Sequence, residues 1–335
     1  MSAIRDIRSY LAGLIGPGIG KLYFVVDSRS GSYATFLTGS GIGQGSIYTD
    51  IQTAHDVAVT NRNDVICLYP GTYNQTAAIT WSKSSTHLVG MTSPMQRTPA
   101  VTGTYGAAYI TTLEATASGA TSSLAVTGHY NQFHNFGAIN SCAAGVGTIV
   151  PTGRVNLFKN LYIRGGEHAT QLASAVLGYA VAFNATVAGH GNNNTFQSCH
   201  IGESRNTIIT AGGQIYFATT GGISSTNQQI EFKDCFIQQV SATNACSAVF
   251  QTGNYAVDRH VLWENCQFYN FQTNLGTVLS GGVFTDTCGT THMNLVRKCS
   301  QYGWEDWSSG TLTYIYLDMP IASGTGGTML IGTTT

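Results

Sequence analysis

Apolar and polar positions between Gln228 and Gln239 set a pattern to which the chain keeps returning. Its core reads aromatic, x, Asn or Asp, Cys, x, apolar: Phe232, Asp234, Cys235 and Ile237. Phe196, Ser198, Cys199 and Ile201 precede it, and Trp263, Asn265, Cys266 and Phe268 follow. Phe158, Asn160, Leu161 and Ile163 fit the frame without the cysteine, and Val296, Lys298, Cys299 and Gln301 form a degraded last copy. Phe133, Asn135, Phe136 and Ile139 read as a looser first copy, one residue too long. From one aromatic position to the next the spacing is 25, 38, 36, 31 and 33 residues, so connections vary while the core does not. A second series, Phe183, Phe217, Phe250, Phe284 and Tyr316, recurs at 34, 33, 34 and 32 residues. Self-similarity at a period of about 20 to 50 residues marks a stacked repeat.

Each core is short, rich in β-branched and aromatic residues and bounded by Gly, Asn, Ser and Thr, which predicts strands. Alternation runs Phe232 in, Lys233 out, breaks at Asp234, then resumes with Cys235 in, Phe236 out and Ile237 in. Two strands joined by a one- or two-residue bend give that break, and Asn or Asp tolerates the left-handed backbone of such a bend. Stacked coils put equivalent residues roughly 4.8 Å apart. Columns of aromatics, of Asn/Asp and of Cys then run along one axis, the arrangement of a parallel β-helix.

Before the repeats, residues 1–21 read as an amphipathic segment with Ile4, Ile7, Leu11, Leu14 and Ile15 on one face, ended by Gly16-Pro17-Gly18. That face either docks on a neighbouring subunit or folds back on its own solenoid. Arg5 and Arg8 ahead of Tyr10 to Ile15 resemble a signal peptide only loosely, so an uncleaved N-terminus is expected. Lys21 to Asp27 is strand-like and Ser28 to Ser46 reads as a Gly/Ser loop. Asp50 to Ala58 predicts a helix with Asp50 at the N-cap, placed to cover the open end of the solenoid. Residues 22–320 form the solenoid, with excursions expected at Met91–Tyr109, Gly165–Ala180, Gly202–Gly213 and Gly221–Asn227, and 321–335 form a tail.

Asp64-Val65-Ile66-Cys67-Leu68-Tyr69-Pro70-Gly71-Thr72-Tyr73, then Ala77 to Trp81, then Thr86-His87-Leu88-Val89-Gly90 resembles the opening coil of right-handed parallel β-helix proteins of the pectin-lyase-like class. The likeness covers residues 60 to 320 and implies an all-β, right-handed solenoid with an N-terminal capping helix. Sparse charge and a Gly/Ser/Thr/Tyr surface are also similar to virion proteins of tailed bacteriophages. That second resemblance implies a homotrimer on the surface of a phage particle.

Composition narrows the function. The chain has 15 Lys plus Arg against 16 Asp plus Glu, 9% charged against about 25% in an ordinary domain. With a net charge of −1 and no basic run, nucleic acid is not an expected partner. Nor is a membrane, since no run of 18 apolar residues exists. Cys199, Cys235, Cys266 and Cys299 would lie in file inside, where four thiols cannot converge on one tetrahedral metal. Free buried thiols are expected, and Cys67, Cys142, Cys246 and Cys288 show no pairing.

No catalytic set assembles in the sequence. Gly189-His190-Gly191 stands alone among asparagines and reads as a turn. The outward column Lys159, Gln197, Lys233, Glu264 and Arg297 mixes signs and cannot gather a hard cation. His129, His134 and His200 show no metal spacing, so neither metal nor cofactor is expected. Glu305-Asp306 between Trp304 and Trp307 is the one candidate for glycan contact, unless the indoles plug the solenoid. The favoured role is a non-enzymatic structural protein of the virion, of the capsid decoration, cement or head-spike type, docking on the major capsid or another virion protein. The alternative is a receptor-binding spike that binds or cleaves surface glycan.

Overall fold

The computed structural model describes residues 2–27, 31–92, 111–117, 120–174, 177–185, 191–208, 212–219, 227–241, 246–252, 257–272, 279–286, 292–308, 315–318 and 329–330. Among them, parallel strands build three walls of twelve, eight and eight strands, wound as a right-handed parallel β-helix. Each coil supplies one strand to each wall. The only antiparallel pairing among the described residues joins Ile315–Asp318 to Met329–Leu330 at the C-terminal end.

One inward column of the first wall explains why the coils align. Tyr23, Ile66, Leu88, Phe133, Phe158, Phe196, Phe232, Trp263 and Val296 are successive register partners. From Phe133 to Trp263 the rings stack face to face with centroids 4.9, 4.5, 5.0 and 4.3 Å apart and planes within 14° of parallel. All five are fully buried. Burial contributes about 1.5 to 3 kcal/mol for each such side chain, and each ring pair adds about 0.5 to 1.5 kcal/mol.

The bend after each aromatic adopts the expected conformation. Asn135, Asn160, Ser198, Asp234, Asn265 and Lys298 all have positive φ, between 51° and 60°. Asn160 donates from Nδ2 to Asn135 Oδ1 at 2.7 Å, and Asn265 does the same to Asp234 Oδ1 at 2.7 Å. The degraded last copy therefore keeps the backbone of the repeat although its side chains have diverged. The first copy is not one residue too long: Ala138, not Ile139, pairs with Ile163 on the inward side, and Ile139 lies opposite Arg164.

Four thiols do lie in file. Cys199, Cys235, Cys266 and Cys299 are free and buried, and their S–H groups donate to the carbonyls of Phe158, Phe196, Phe232 and Trp263 at 3.3 to 3.4 Å. The column thus ties each coil to the one below it.

The second aromatic series is not one column. Phe183 and Phe217 are register partners and stack at 4.7 Å. Phe250, however, lies opposite Tyr216, Phe284 lies opposite Val249, and Tyr316 belongs to the first wall opposite Leu295. A one-residue slip turns a side chain to the other face, so equal spacing along the chain did not guarantee equal placement. An unforeseen ladder compensates nearby. Buried Asn131, Asn156 and Asn194 each stand two residues before a stacked Phe, and their Oδ1 atoms accept from the backbone N–H of Thr86, Asn131 and Asn156, each at 2.9 Å.

Four helices decorate the described coils. Helix α1 (Ser2–Ile15) lies on the outside of the first wall, α2 (Gly31–Gly39) occupies the stretch expected to be loop, α3 (Ile51–Val57) closes the end, and α4 (Ala169–Leu172) is a single turn. Asp50 caps α3 by accepting from Thr53 N–H at 2.7 Å. Ile51, Ala54, His55 and Ala58 then sit over the core, with the His55 ring 4.6 Å from Trp81. Below the cap, buried Asp64 accepts from the N–H groups of Lys21 and Val59, both at 2.8 Å, and from Arg62 Nε and Nη2 at 2.7 and 2.6 Å. Burial alone would raise the Asp64 pKa, but these donors hold it below the usual value.

Of the expected excursions, the strand Tyr179–Ala185 begins inside the first corner segment and His200–Ile208 runs through much of the second. Residues 93–110, 186–190, 220–226, 319–328 and 331–335, which hold most of the remaining predicted loops, the Gly-His part of the turn and most of the tail, lie outside the described residues.

Two predictions follow from burial. Phe196→Ala should lower the free energy of unfolding by about 3 to 5 kcal/mol, measured by urea denaturation, whereas a loss below 1 kcal/mol would contradict a continuous ring column. Burial also lowers the pKa of His87 and of His134 from 6.5 to about 4, with Lys159 adding to the effect at His134 and Asp64 opposing it at His87. Unfolding lets both imidazoles take up protons near pH 6.5, so the unfolded state binds more protons. Stability should fall by roughly 1.4 kcal/mol per pH unit for each histidine as pH drops from about 6.5 to about 4, then level. A His87→Gln, His134→Gln double variant should flatten that profile.

Candidate functional site

Residue types and alternation decide what the outside of each wall presents. On the second wall the residue two places after the left-handed bend points outward, and this position holds Tyr162, His200 and Phe236 on three successive coils. His200 sits edge-on between its neighbours, 4.8 Å from the Tyr162 ring and 4.9 Å from the Phe236 ring. The next coils place Gln267 and Ser300 there and move the aromatic two residues on, to Tyr269 and Tyr302. The row continues diagonally, with Phe236 to Tyr269 at 5.1 Å, Tyr269 to Tyr302 at 5.9 Å and Tyr269 to Phe271 at 6.1 Å.

Five coils thus carry one unbroken outward aromatic stripe. Tyr162, Phe236 and Tyr269 are half-buried, His200 is buried, and Phe271 and Tyr302 are 41% and 64% exposed. Beside its N-terminal end, Arg164 and Glu167 form a buried ion pair. The outward charge column of the first wall is in register as expected. It carries only short-range pairs, Lys233 with Glu231 at 2.7 Å and Arg297 with Glu264 at 3.7 Å. Partly exposed, these contribute little, about 0 to 1 kcal/mol each.

The sites expected from sequence fall elsewhere. Trp304, 3% exposed, faces the core and donates from Nε1 to the Cys246 carbonyl at 3.4 Å. Trp307 packs against the core beside Phe268 and Phe284, at 5.9 and 6.2 Å. Trp304 plugs the solenoid and offers no open ring face to a sugar, whereas Trp307 is half-buried against the core; the side chains of Glu305 and Asp306 lie outside the described ones. Leu11 is fully buried, and Ile7, Leu14 and Ile15 pack with it on Leu22, Phe24, Val65 and Val89 of the same chain. The apolar face of α1 thus packs on its own wall through Leu11, while Ile7, Leu14 and Ile15 stay half-buried; the Ile4 side chain is not among the described ones. His200 is outward but covered, His134 Nε2 lies 3.0 Å from Gln132 Oε1, and His129 Nδ1 accepts from Arg154 N–H at 3.0 Å. No group of three or more His, Cys, Asp or Glu among the described residues could hold a metal ion.

Sequence reasoning missed the stripe although Phe236 was read as outward. Its signal was Tyr162, His200 and Phe236, each two residues after the bend, but the diagonal step to Tyr269 and Tyr302 follows no fixed interval.

Replacing Trp304 with Ala should cost about 3 to 5 kcal/mol of stability, whereas Tyr302→Ala on the stripe should cost under about 0.5 kcal/mol. Parallel urea titrations check this, and equal effects would contradict the inward placement of Trp304.

No protein-family model matches the chain, and no curated protein sequence matches it. Solved structures do. One is Geobacillus virus E2 ORF18, 16% identical with a TM-score of 0.49; the alignment covers 80% of this chain but 58% of that one. A second is a pectin methylesterase solved with a hexasaccharide, 14% identical, TM-score 0.51, covering 85% of this chain and 81% of that one. A third is the pectin methylesterase of Aspergillus niger, 14% identical, TM-score 0.50, covering 90% and 84%. At such identities the likeness concerns the fold alone, and with three stacked parallel walls it gives this chain the right-handed parallel β-helix of those pectin methylesterases.

Proposed function

We propose that the protein is a non-enzymatic β-helical spike of a tailed-phage particle that holds surface glycan along the aromatic stripe of its second wall. The stripe itself carries this reading. Five rings or ring pairs at steps near 4.8 Å span about 19 Å along the axis, long enough to meet several sugars of one polysaccharide strand. Pyranose rings present apolar C–H faces that stack on aromatics, and the rigid wall holds the rings ready, so little freedom is lost on binding. Sparse charge over the whole chain suits a neutral polymer and a particle surface crowded with identical copies.

A second reading, a decoration or cement protein docking on a capsid subunit, draws on the N-terminal end. There Phe36 is 55% exposed, Val57 44% and Val59 45%, beside the helices that close the solenoid. The two readings are compatible, one end seated on the particle and the wall turned outward, and a homotrimer is the assembly proposed for both.

A glycan array should show binding that Tyr269→Ala and Tyr302→Ala each weaken about fivefold, as expected for the loss of about 1 kcal/mol of ring contact. Bound polysaccharide should keep its length on incubation. Binding unchanged in both variants, or shortening of the polymer, would overturn the proposal.

A further inference from the structure

A pocket of about 150 Å³ lies on the first wall, away from the stripe, between the segment Ile15–Ile19 and the corner residues Asn63, Ser85 and Tyr130. Three successive coils supply these corners, and all three adopt positive φ, 56°, 49° and 58°. Gly16-Pro17-Gly18 passes over the pocket and is pinned at both ends: Gln132 Nε2 donates to the Ile15 carbonyl at 3.2 Å, and Gly20 N–H donates to the Asn63 carbonyl at 2.8 Å. A cavity of about this size has room for one six-membered ring.

The floor is His87, 2% exposed. Its Nδ1 accepts from Gln132 N–H at 3.1 Å, which leaves the ring proton on Nε2. That proton has only a long contact, 3.5 Å to Asn63 Oδ1. Gln132 is fully engaged, since its amide oxygen also faces His134 Nε2 at 3.0 Å, so it orients the histidine instead of meeting a ligand. Tyr130, 61% exposed, adds a ring at the mouth, and Ser85 and Asn63 add a hydroxyl and an amide.

No lysine, arginine, aspartate or glutamate lines this pocket. A ligand here must therefore be uncharged. It must accept from an imidazole N–H, exchange hydrogen bonds with a hydroxyl and an amide, and present an apolar face to one aromatic ring. We infer that the pocket formed by His87, Asn63, Ser85 and Tyr130 is a second binding site, for a single neutral sugar ring. This site is independent of the stripe, which lies on the second wall.

The test is ligand-observed NMR of the full chain with methyl α-D-glucoside, methyl β-D-galactoside and N-acetyl-D-glucosamine, and with inorganic phosphate and D-galacturonate as charged probes. Tyr130→Gly and Asn63→Gly remove the ring and the amide while keeping a residue at ease with positive φ, and circular dichroism confirms that they fold. At least one neutral sugar should bind, and each variant should weaken it about tenfold, as for the loss of about 1.4 kcal/mol. Tyr302→Ala, on the stripe, should leave it unchanged. The inference fails if no neutral sugar binds, if the two glycine variants bind as well as the parent, or if phosphate or galacturonate binds more tightly. Loss with Tyr302→Ala alone would assign the sugar to the stripe and also overturn it, without touching the stripe proposal.

Discussion

Everything in this molecule depends on coils lying in register. Face-to-face stacking of Phe133, Phe158, Phe196, Phe232 and Trp263 tolerates little sliding, because a ring moved by one residue along its strand would leave the core altogether. With centroids 4.3 to 5.0 Å apart, the rings follow the separation of hydrogen-bonded strands. Side-chain stacking and backbone pairing therefore favour the same geometry. The left-handed corners and the Cys S–H groups, each donating to the coil below, reinforce that alignment at the edge of the wall.

Register on the inside dictates pattern on the outside. Once Ile163, Ile201 and Ile237 are stacked inward, Tyr162, His200 and Phe236 are stacked outward with no further requirement. A β-helix thereby converts a repeat chosen for its core into a linear array on its surface. Two arrays result, a mixed-sign column on the first wall and an aromatic one on the second. The charged column forms two ion pairs, Lys233 with Glu231 and Arg297 with Glu264, whereas the aromatic one leaves Phe271 and Tyr302 open to solvent.

The N-terminal end is built on different terms. There α3 covers the core, α1 lies on the outer face of the first wall, and Asp64 collects four donors that join cap, corner and first strand. Covering the wall with α1 also creates the polar pocket over His87, since the Gly-Pro-Gly segment following the helix must bridge back to the strand Leu22–Val25. Burial lowers the pKa of His87 and of His134 at this end of the solenoid.

From sequence alone came the parallel β-helix, the cap helix and its Asp50 cap, the ring column, the Cys column and the bend residues, because each is a local pattern repeated often enough to specify its own neighbours. Beyond its reach lay features that depend on which residue of one coil faces which residue of the next. Phe250 and Tyr316 keep the interval of the second aromatic series yet fall on another face or another wall, since loop length between coils absorbs residues without changing register. Trp304 looks in sequence like a surface indole, and only the strand pairing of the third wall turns it inward. The apolar face of α1 fits a neighbour or its own wall equally well as a pattern; the tertiary structure sets Leu11 on Val65, Cys67 and Val89 of the same chain and leaves Ile7, Leu14 and Ile15 half-buried. The diagonal step of the stripe from Phe236 to Tyr269, and the contact of the segment Ile15–Ile19 with three distant corners, carry no periodic signature, and that is why the full stripe and the pocket emerged only in three dimensions.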